Sequence, residues 1–190
     1  NSLFGMHVFD AQTGNWPATK IGSLRIWDNQ ASWSTIEKKP GQFDWSKLDA
    51  IVANAESHGV HDIMYVLAGT PQWASDRIAG GELPTLGASG VPRSFAWWDR
   101  WVSAVATRYK GHISSYQVWN EMNLRTFFTG TPQQMAQMTE RAYKIIKAID
   151  PNAKVIAAST GTRFEPAFVA NYPPYLDALK KRGWPVDAFS

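Results

Sequence analysis

An α/β fold follows from three observations on the sequence. Short runs rich in β-branched and aromatic residues alternate with amphipathic stretches of helical period along all 190 residues, the order that gives parallel strands joined by right-handed crossovers. The first strand is followed by DAQTGNWPATK (10–20), with no G-x-G-x-x-G pattern and no P-loop, so an open nucleotide-binding sheet would lack its phosphate turn. The two long connections, 28–45 and 68–93, both follow strand C-termini, the rim on which barrel enzymes build their sites. Together these predict a TIM-type (β/α)₈ barrel, truncated to about six strands and forming a single domain over residues 1–190.

The strands are read in order as LFGMHVF (3–9), SLRIW (23–27), DIMYVL (62–67), ISSYQVW (113–119), KVIAAS (154–159) and VDAFS (186–190). Between the second and third, a helix starts at Ser46 with Asp49 three residues on as a capping box, buries Leu48, Ile51, Val52 and Ala55, and stops at Gly59. The next spans 94–110 and carries Phe95, Trp98, Trp101, Val102, Val105 and Tyr109 at helical spacing, which makes the two Trp packing residues. Thr131 caps the following helix, with Pro132 at its first position and Gln134 closing the box. Met135, Met138, Ala142 and Ile146 form its core stripe, and Pro151 ends it. A last helix over 166–182 is predicted to be interrupted by Pro173 and Pro174. A complete barrel needs eight strands and roughly 250 residues, so strands 7 and 8 are expected outside this chain. The open edge would expose unpaired backbone and apolar faces, to be covered by the remaining part of the same barrel or by a second copy.

Composition narrows the function classes. With 44% apolar and 18% charged residues the chain can bury a sizeable core. Its net charge of +3 comes from scattered Lys and Arg, too dispersed for a phosphate-tracking stripe, which argues against a nucleic-acid partner. The absence of cysteine excludes disulfides and thiolate metal sites, and no apolar run approaches the ~18 residues of a membrane span. The start at Asn1 without Met reads as a processed or trimmed chain, from which a secretion signal would already be gone.

In a barrel, strand C-termini converge. His7 and Asp10, then Arg25, Trp27 and Asp28, then Trp73, then Trp119, Asn120 and Glu121, and finally Ser159 to Arg163 come to one face. A carboxylic acid among apolar rings has its charged form disfavoured and can hold a proton at neutral pH, which a general acid requires. Glu121, following Val118 and Trp119, is placed for that role, with Asn120 able to bond a substrate hydroxyl and Trp faces suited to the apolar side of a sugar ring. An isolated Asn-Glu pair more often simply caps a strand, so context decides.

That context is a resemblance. WSTIEKKPGQFDWSKLDAIVANAESHGV (33–60), TPQWAS (70–75) and YQVWNEMN (116–123) occur in order on the expected elements, and with them the chain resembles glycoside hydrolase clan A, nearest to family 39 and its family 5-like relatives. The likeness runs from FGMHVFD to VDAFS. It implies a retaining glycosidase of the EC 3.2.1 type acting on a polysaccharide or glycoside, with Glu121 as acid/base and Asn120 on the hydroxyl next to the anomeric carbon. The nucleophile it implies is a Glu at the end of strand 7, to which no residue here corresponds and which is expected beyond residue 190. The two carboxyls would sit ~5–5.5 Å apart. Asp28, Glu82 and Glu165 are local candidates for an inverting pair at ~6.5–9.5 Å, with Glu165 the best placed, although loop carboxylates are usually just solvated.

The supporting residues follow. The clan places an Arg on the second strand to orient its catalytic carboxylates, which fits Arg25; the other reading is a structural ion pair. His7 binds a sugar hydroxyl or is an ordinary core histidine, and Asp28 is a hydroxyl acceptor or a loop anchor. Trp73 and Trp119 are candidate sugar-stacking residues, while Trp33 and Trp45 pin the loop between them. The four His show no metal spacing, so no metal and no cofactor are expected. The expected partner is a carbohydrate and the expected location extracellular or at the cell envelope. Two rivals stand beside this reading: a non-catalytic carbohydrate-binding half-barrel, and a lyase or isomerase acting on sugar phosphates, against which the lack of a Gly-rich anion loop counts.

Overall fold

The computed structural model describes residues 4–77, 85–161 and 165–190. Five parallel strands pair in chain order: β1 Gly5–Met6, β2 Ser23–Ile26, β3 Asp62–Leu67, β4 Ser115–Val118 and β5 Lys154–Ile156. A sheet whose spatial order equals its chain order has no switch point, because every crossover adds its strand on the same side. This favours the barrel over the doubly wound sheet. The helices follow the same progression, with α1 Trp33–Ile36 and α2 Ser46–Ser57 before α3 Phe95–Arg108, which packs on α4 Pro132–Ile149, which packs on α5 Glu165–Lys180.

The predicted first strand, 3–9, shrinks to two ladder residues for a local reason. Gly5 lies so close to β2 that a Cβ on it would clash with Ser23 Oγ. Past Met6 the chain leaves the ladder, and the side chain of Asn29 takes over its carbonyls, donating from Nδ2 to Val8 O at 2.6 Å and Phe9 O at 2.9 Å. At the other edge, 186–190 lies where the sixth strand was expected but makes a single parallel bridge, Ala188 to Ile156. There the Asp187 carboxylate accepts from Val155 N at 2.7 Å and also meets Lys147. Both edges carry exposed apolar side chains, Phe4 and Phe9 beside β1, Trp184 and Phe189 at the far side.

Helix punctuation agrees with the sequence at α4, where Thr131 Oγ1 accepts from Gln134 N at 3.2 Å and Gln134 Oε1 from Thr131 N at 2.8 Å. It differs at α2. The expected Ser46–Asp49 box does not form; Asp44, two residues upstream, accepts from Ser46 N at 3.1 Å, and Asp49 turns to Arg108 and Tyr109. A short acid just before the helix reaches the orphan amides without bending back over the first turn. Nor do Pro173 and Pro174 interrupt α5, which runs through them. Next to that pair, buried Tyr175 bonds Thr139 Oγ1 at 3.0 Å and accepts from Ala158 N at 3.0 Å, tying α5 to α4 and to the end of β5.

The core lies between sheet and helices and is rich in indole. Trp33, Trp98 and Trp101 are fully buried; Trp33 stacks on Trp101 at 6.0 Å and 11°, and Trp45 stacks on its other side at 5.6 Å and 10°. Offset aromatic pairs of this kind add about 0.5–1.5 kcal/mol beyond the area they bury. Trp33 also donates to the buried Glu37 carboxylate at 2.6 Å, which accepts from Gly41 N at 2.7 Å and pairs with Arg100. The loop between Trp33 and Trp45 is thus pinned from within, as expected. Met135 and Met138 are wholly buried core residues of α4.

Candidate active site

Parallel pairing brings the C-terminal ends of all five strands to one rim, and the backbone there is unusual. Of the five non-glycine residues with positive φ among the described residues, two follow β2 (Asp28 at 60° and Gln30 at 55°) and two follow β4 (Trp119 at 72° and Glu121 at 44°). The left-handed conformation costs an L-residue roughly 1–2 kcal/mol and survives only where surrounding structure over-determines it. Around Glu121 that structure is the end of β5. Its amide donates to Ser159 Oγ at 2.9 Å, and Met122 N donates to Ser159 O at 3.0 Å. Buried Asn123 clasps Gly161, giving Nδ2–H to its carbonyl at 3.0 Å and accepting its amide at 2.9 Å. Half-buried Glu121 lays its carboxyl along Gly161, where an added Cβ would meet Oε1 at 3.4 Å.

Asn120, between the two strained residues, is 7% exposed. Its Oδ1 accepts from Arg25 Nη2 at 2.8 Å, which leaves its Nδ2 hydrogens for other partners. Arg25 also donates from Nε to Oε1 of buried Gln117 at 3.2 Å. Burial pushes the Arg25 pKa down, and the negative charges of Asp28 and Glu121 push it back up. Among the described residues Arg25 makes no ion pair within 4.0 Å, so the requirement for acceptors is met by two amide oxygens. The Arg orients Asn120 by direct contact and acts on Glu121 through its charge.

The first two strands meet at Asn29, which is 2% exposed. Because its Nδ2 is committed to two carbonyls, its Oδ1 must accept, and it does so from Trp27 N at 3.2 Å and His7 Nε2 at 3.1 Å. His7 therefore donates from Nε2, and its ring stacks on Phe9 at 4.5 Å. Asp28 is exposed as a residue, yet nearby protein atoms take water from its carboxyl and raise its pKa, with His7 and Arg25 drawing it partly back. Half-buried Trp27 approaches Phe127, from the loop after β4, at 6.2 Å.

The two aromatics expected to stack on sugar make contacts within the protein. Trp119 is fully buried, donates to Phe127 O at 2.9 Å and packs edge-on to Phe128, so it has no free face for a sugar. Trp73 donates to Glu37 O at 2.9 Å, sits edge-on to Trp33 and Trp97, and carries the Arg100 guanidinium over its ring at 5.6 Å. These contacts tie it to the Glu37 loop and α3, not to Arg25, Asn120 or Glu121. Glu82, Thr162 and Arg163 and the side chain of Glu165 lie outside the described residues. No second carboxylate joins the hydrogen-bond network of Glu121, and no group of three or more His, Cys, Asp or Glu side chains that could hold a metal occurs among the described residues. None of the described helices is long and apolar enough to cross a membrane.

Gln117 and Asn29 belong to the site although the sequence does not single them out, and Ser159 carries more of it than its place in the Ser159–Arg163 run suggests. Gln117 has a signal, a large amide beside Val118 near the end of a predicted strand. Asn29, in a polar loop, has none.

A family model described as glycosyl hydrolase family 10 matches residues 12–189. No curated protein matches the chain. Among solved structures, xylanase XynB from Paenibacillus barcinonensis superposes with a TM-score of 0.64 at 19% identity over 89% of this chain and 51% of its own. Xylanase 10B from Thermotoga petrophila RKU-1 gives 0.63 at 18% over 90% and 51%. A family 39 glycoside hydrolase from Bacteroides cellulosilyticus WH2 gives 0.65 at 13% over 97% and 36%. At these identities the likeness shows the fold, a (β/α)₈ barrel of which the chain spans about half or less of each relative.

Proposed function

The chain belongs to glycosyl hydrolase family 10, inside the clan A barrels that its motifs resemble, and from that premise we propose that its parent protein is a retaining glycoside hydrolase. Glu121 is the acid/base: it protonates the leaving glycosidic oxygen, then takes a proton from the water that releases the sugar. Asn120 presents its Nδ2 donors to the hydroxyl beside the anomeric carbon, its Oδ1 being held by Arg25. The second carboxylate, the nucleophile, comes from barrel strands outside residues 1–190, since none joins Glu121 in the described network and the chain spans about half of its solved relatives. The same remainder of the barrel would cover the exposed aromatics at the sheet edges.

One observation carries the reading: a half-buried Glu and a buried, Arg-held Asn sit side by side on strained backbone at the C-terminal end of β4. Such strain needs a reason beyond packing, and a catalytic pair is one. The substrate is a polysaccharide or glycoside, and xylan, for which the xylanases among the solved relatives are named, is the first to test. A polysaccharide too large to enter a cell is met outside it, so the protein works extracellularly or at the cell envelope. The nearly isosteric Glu121→Gln exchange in the parent protein lowers turnover about 10²–10⁴-fold with thermal unfolding unchanged. Proton NMR of the first-formed sugar reports the retained anomer. Full activity of Glu121→Gln rejects the assignment, and sugar binding without hydrolysis by the unaltered protein selects the binding-module reading.

A further inference from the structure

Past Val118 the ladder ends, and the amide of Glu121 finds its acceptor in a side chain, Ser159 Oγ at 2.9 Å. The same oxygen lies 3.0 Å from Gln117 Nε2 and 3.4 Å from Asn120 Oδ1. We infer that Ser159 is a positioning residue: its hydroxyl fixes the left-handed backbone of Glu121 and the amide of Asn120 together, and so aims the proton-donating carboxyl. The inference rests on Glu121 being the acid/base.

The direction of every proton in this cluster can be worked out. Arginine has no acceptor, so its bonds make Gln117 Oε1 and Asn120 Oδ1 the oxygens at those sites and settle both amide orientations. Gln117 Nε2 must then donate, and it does so to Trp119 O at 2.7 Å and to Ser159 Oγ. The Glu121 amide also donates. A hydroxyl offers two lone pairs and one proton. Both lone pairs of Ser159 are filled by N–H groups, and among the described residues its proton goes to Asn120 Oδ1. The hydroxyl is saturated, with a polarity set by one cation on β2. Without it the Glu121 amide loses its partner just where the backbone is strained, and the carboxyl against Gly161 is free to swing.

The test compares Ser159→Ala with Ser159→Thr, which keeps the hydroxyl, in the parent protein. General-acid assistance matters most when the leaving group is a poor one such as a sugar alcohol and least for a dinitrophenolate, so in kcat/KM, which reports the first step alone, Ser159→Ala loses about 10-fold or more on the former and less than about 3-fold on the latter. Ser159→Thr restores the poor leaving group. An equal loss across leaving groups, or none, overturns the inference. A second arm does not depend on catalysis: exchange of the Glu121 amide with solvent deuterium speeds up about 10-fold in Ser159→Ala while that of β3 amides stays as it was. Unaltered Glu121 exchange overturns the inference as well. If Glu121→Gln keeps full turnover, the acid/base reading has failed on its own, and the exchange arm still judges the hub. Should Ser159→Ala not fold, Ser159→Cys, with its weak donor and acceptor, takes its place in both arms.

Discussion

Replacing Arg25 with Met keeps an unbranched apolar stem and deletes the charge and donors at its end. Two amide oxygens lose their partners, Asn120 Oδ1 at 2.8 Å and Gln117 Oε1 at 3.2 Å. Leaving a buried acceptor unsatisfied costs about 1–3 kcal/mol. Asn120 retains a long contact from Ser159 at 3.4 Å, so its loss falls low in that range, whereas Gln117, only 1% exposed, bears the larger share. Against this stands the release of a desolvated guanidinium, the cause that pulls the Arg25 pKa down. The balance is a destabilisation of about 2–4 kcal/mol, which for a domain of 150–250 residues moves Tm by roughly 4–16 °C. Arg25→Lys keeps the charge on a single nitrogen and cannot reproduce the two-pronged contact, so it falls between wild type and Met. Thermal unfolding followed by circular dichroism at pH 7 measures both. A Met variant that melts within about 1 °C of wild type, or above it, refutes the claim that this Arg holds the rim together.

Other outcomes follow from the same structure. Trp73→Phe removes the bond to Glu37 O and weakens the Arg100 contact, costing about 1–2 kcal/mol in chemical denaturation while KM for oligosaccharide stays unchanged; a large rise in KM at unaltered stability would return Trp73 to the sugar. Asp49 has its pKa lowered first by the Arg108 hydrogen bond, so the stability it contributes is present above the ordinary carboxylate value of 3.8 and is lost as pH falls through the lower folded value. Because the Arg108 and Asp49 side chains are 43% and 41% exposed, Asp49→Asn costs less than about 1 kcal/mol at pH 7. That gap closes in acid, and one that stays constant down to pH 2 contradicts the assignment.

Much of the fold was legible because it repeats. Period-two and helical patterns located β2 to β5 and α2 to α5, and the capping box at Thr131 fixed the start of α4 to the residue. Non-repeating chemistry was harder to read. Asp44 and Asp49 are both plausible caps for α2, and only the bend of the chain before Ser46 decides between them. Trp98 and Trp101 sit in a helical period that declares their face, but Trp73 is in a loop, where no period exists, and its partners Glu37 and Arg100 are 36 and 27 positions away in the chain.

The site was legible in its types more than in its wiring. Asn120 and Glu121 stand where the sequence put them, and Arg25 reaches Asn120. Positive φ at Trp119 and Glu121 left no trace in composition, since neither is Gly or Asn, the residues that usually mark that conformation. Trp119, expected to stack on sugar, is instead fully buried, which its place at a predicted strand end does not reveal. Ser159 and Gln117 are separated by 42 positions and meet only because β4 and β5 pair in register.

The most direct measurement is chemical rescue of Glu121→Ala in the parent protein, with an activated aryl glycoside and sodium azide. With the acid/base gone, the first step still runs on a good leaving group, and an anion that needs no deprotonation replaces water in the second. If Glu121 is the acid/base, azide restores turnover and the product is a glycosyl azide of retained configuration. Undiminished hydrolysis by Glu121→Ala without azide, or an azide product of inverted configuration, contradicts that role.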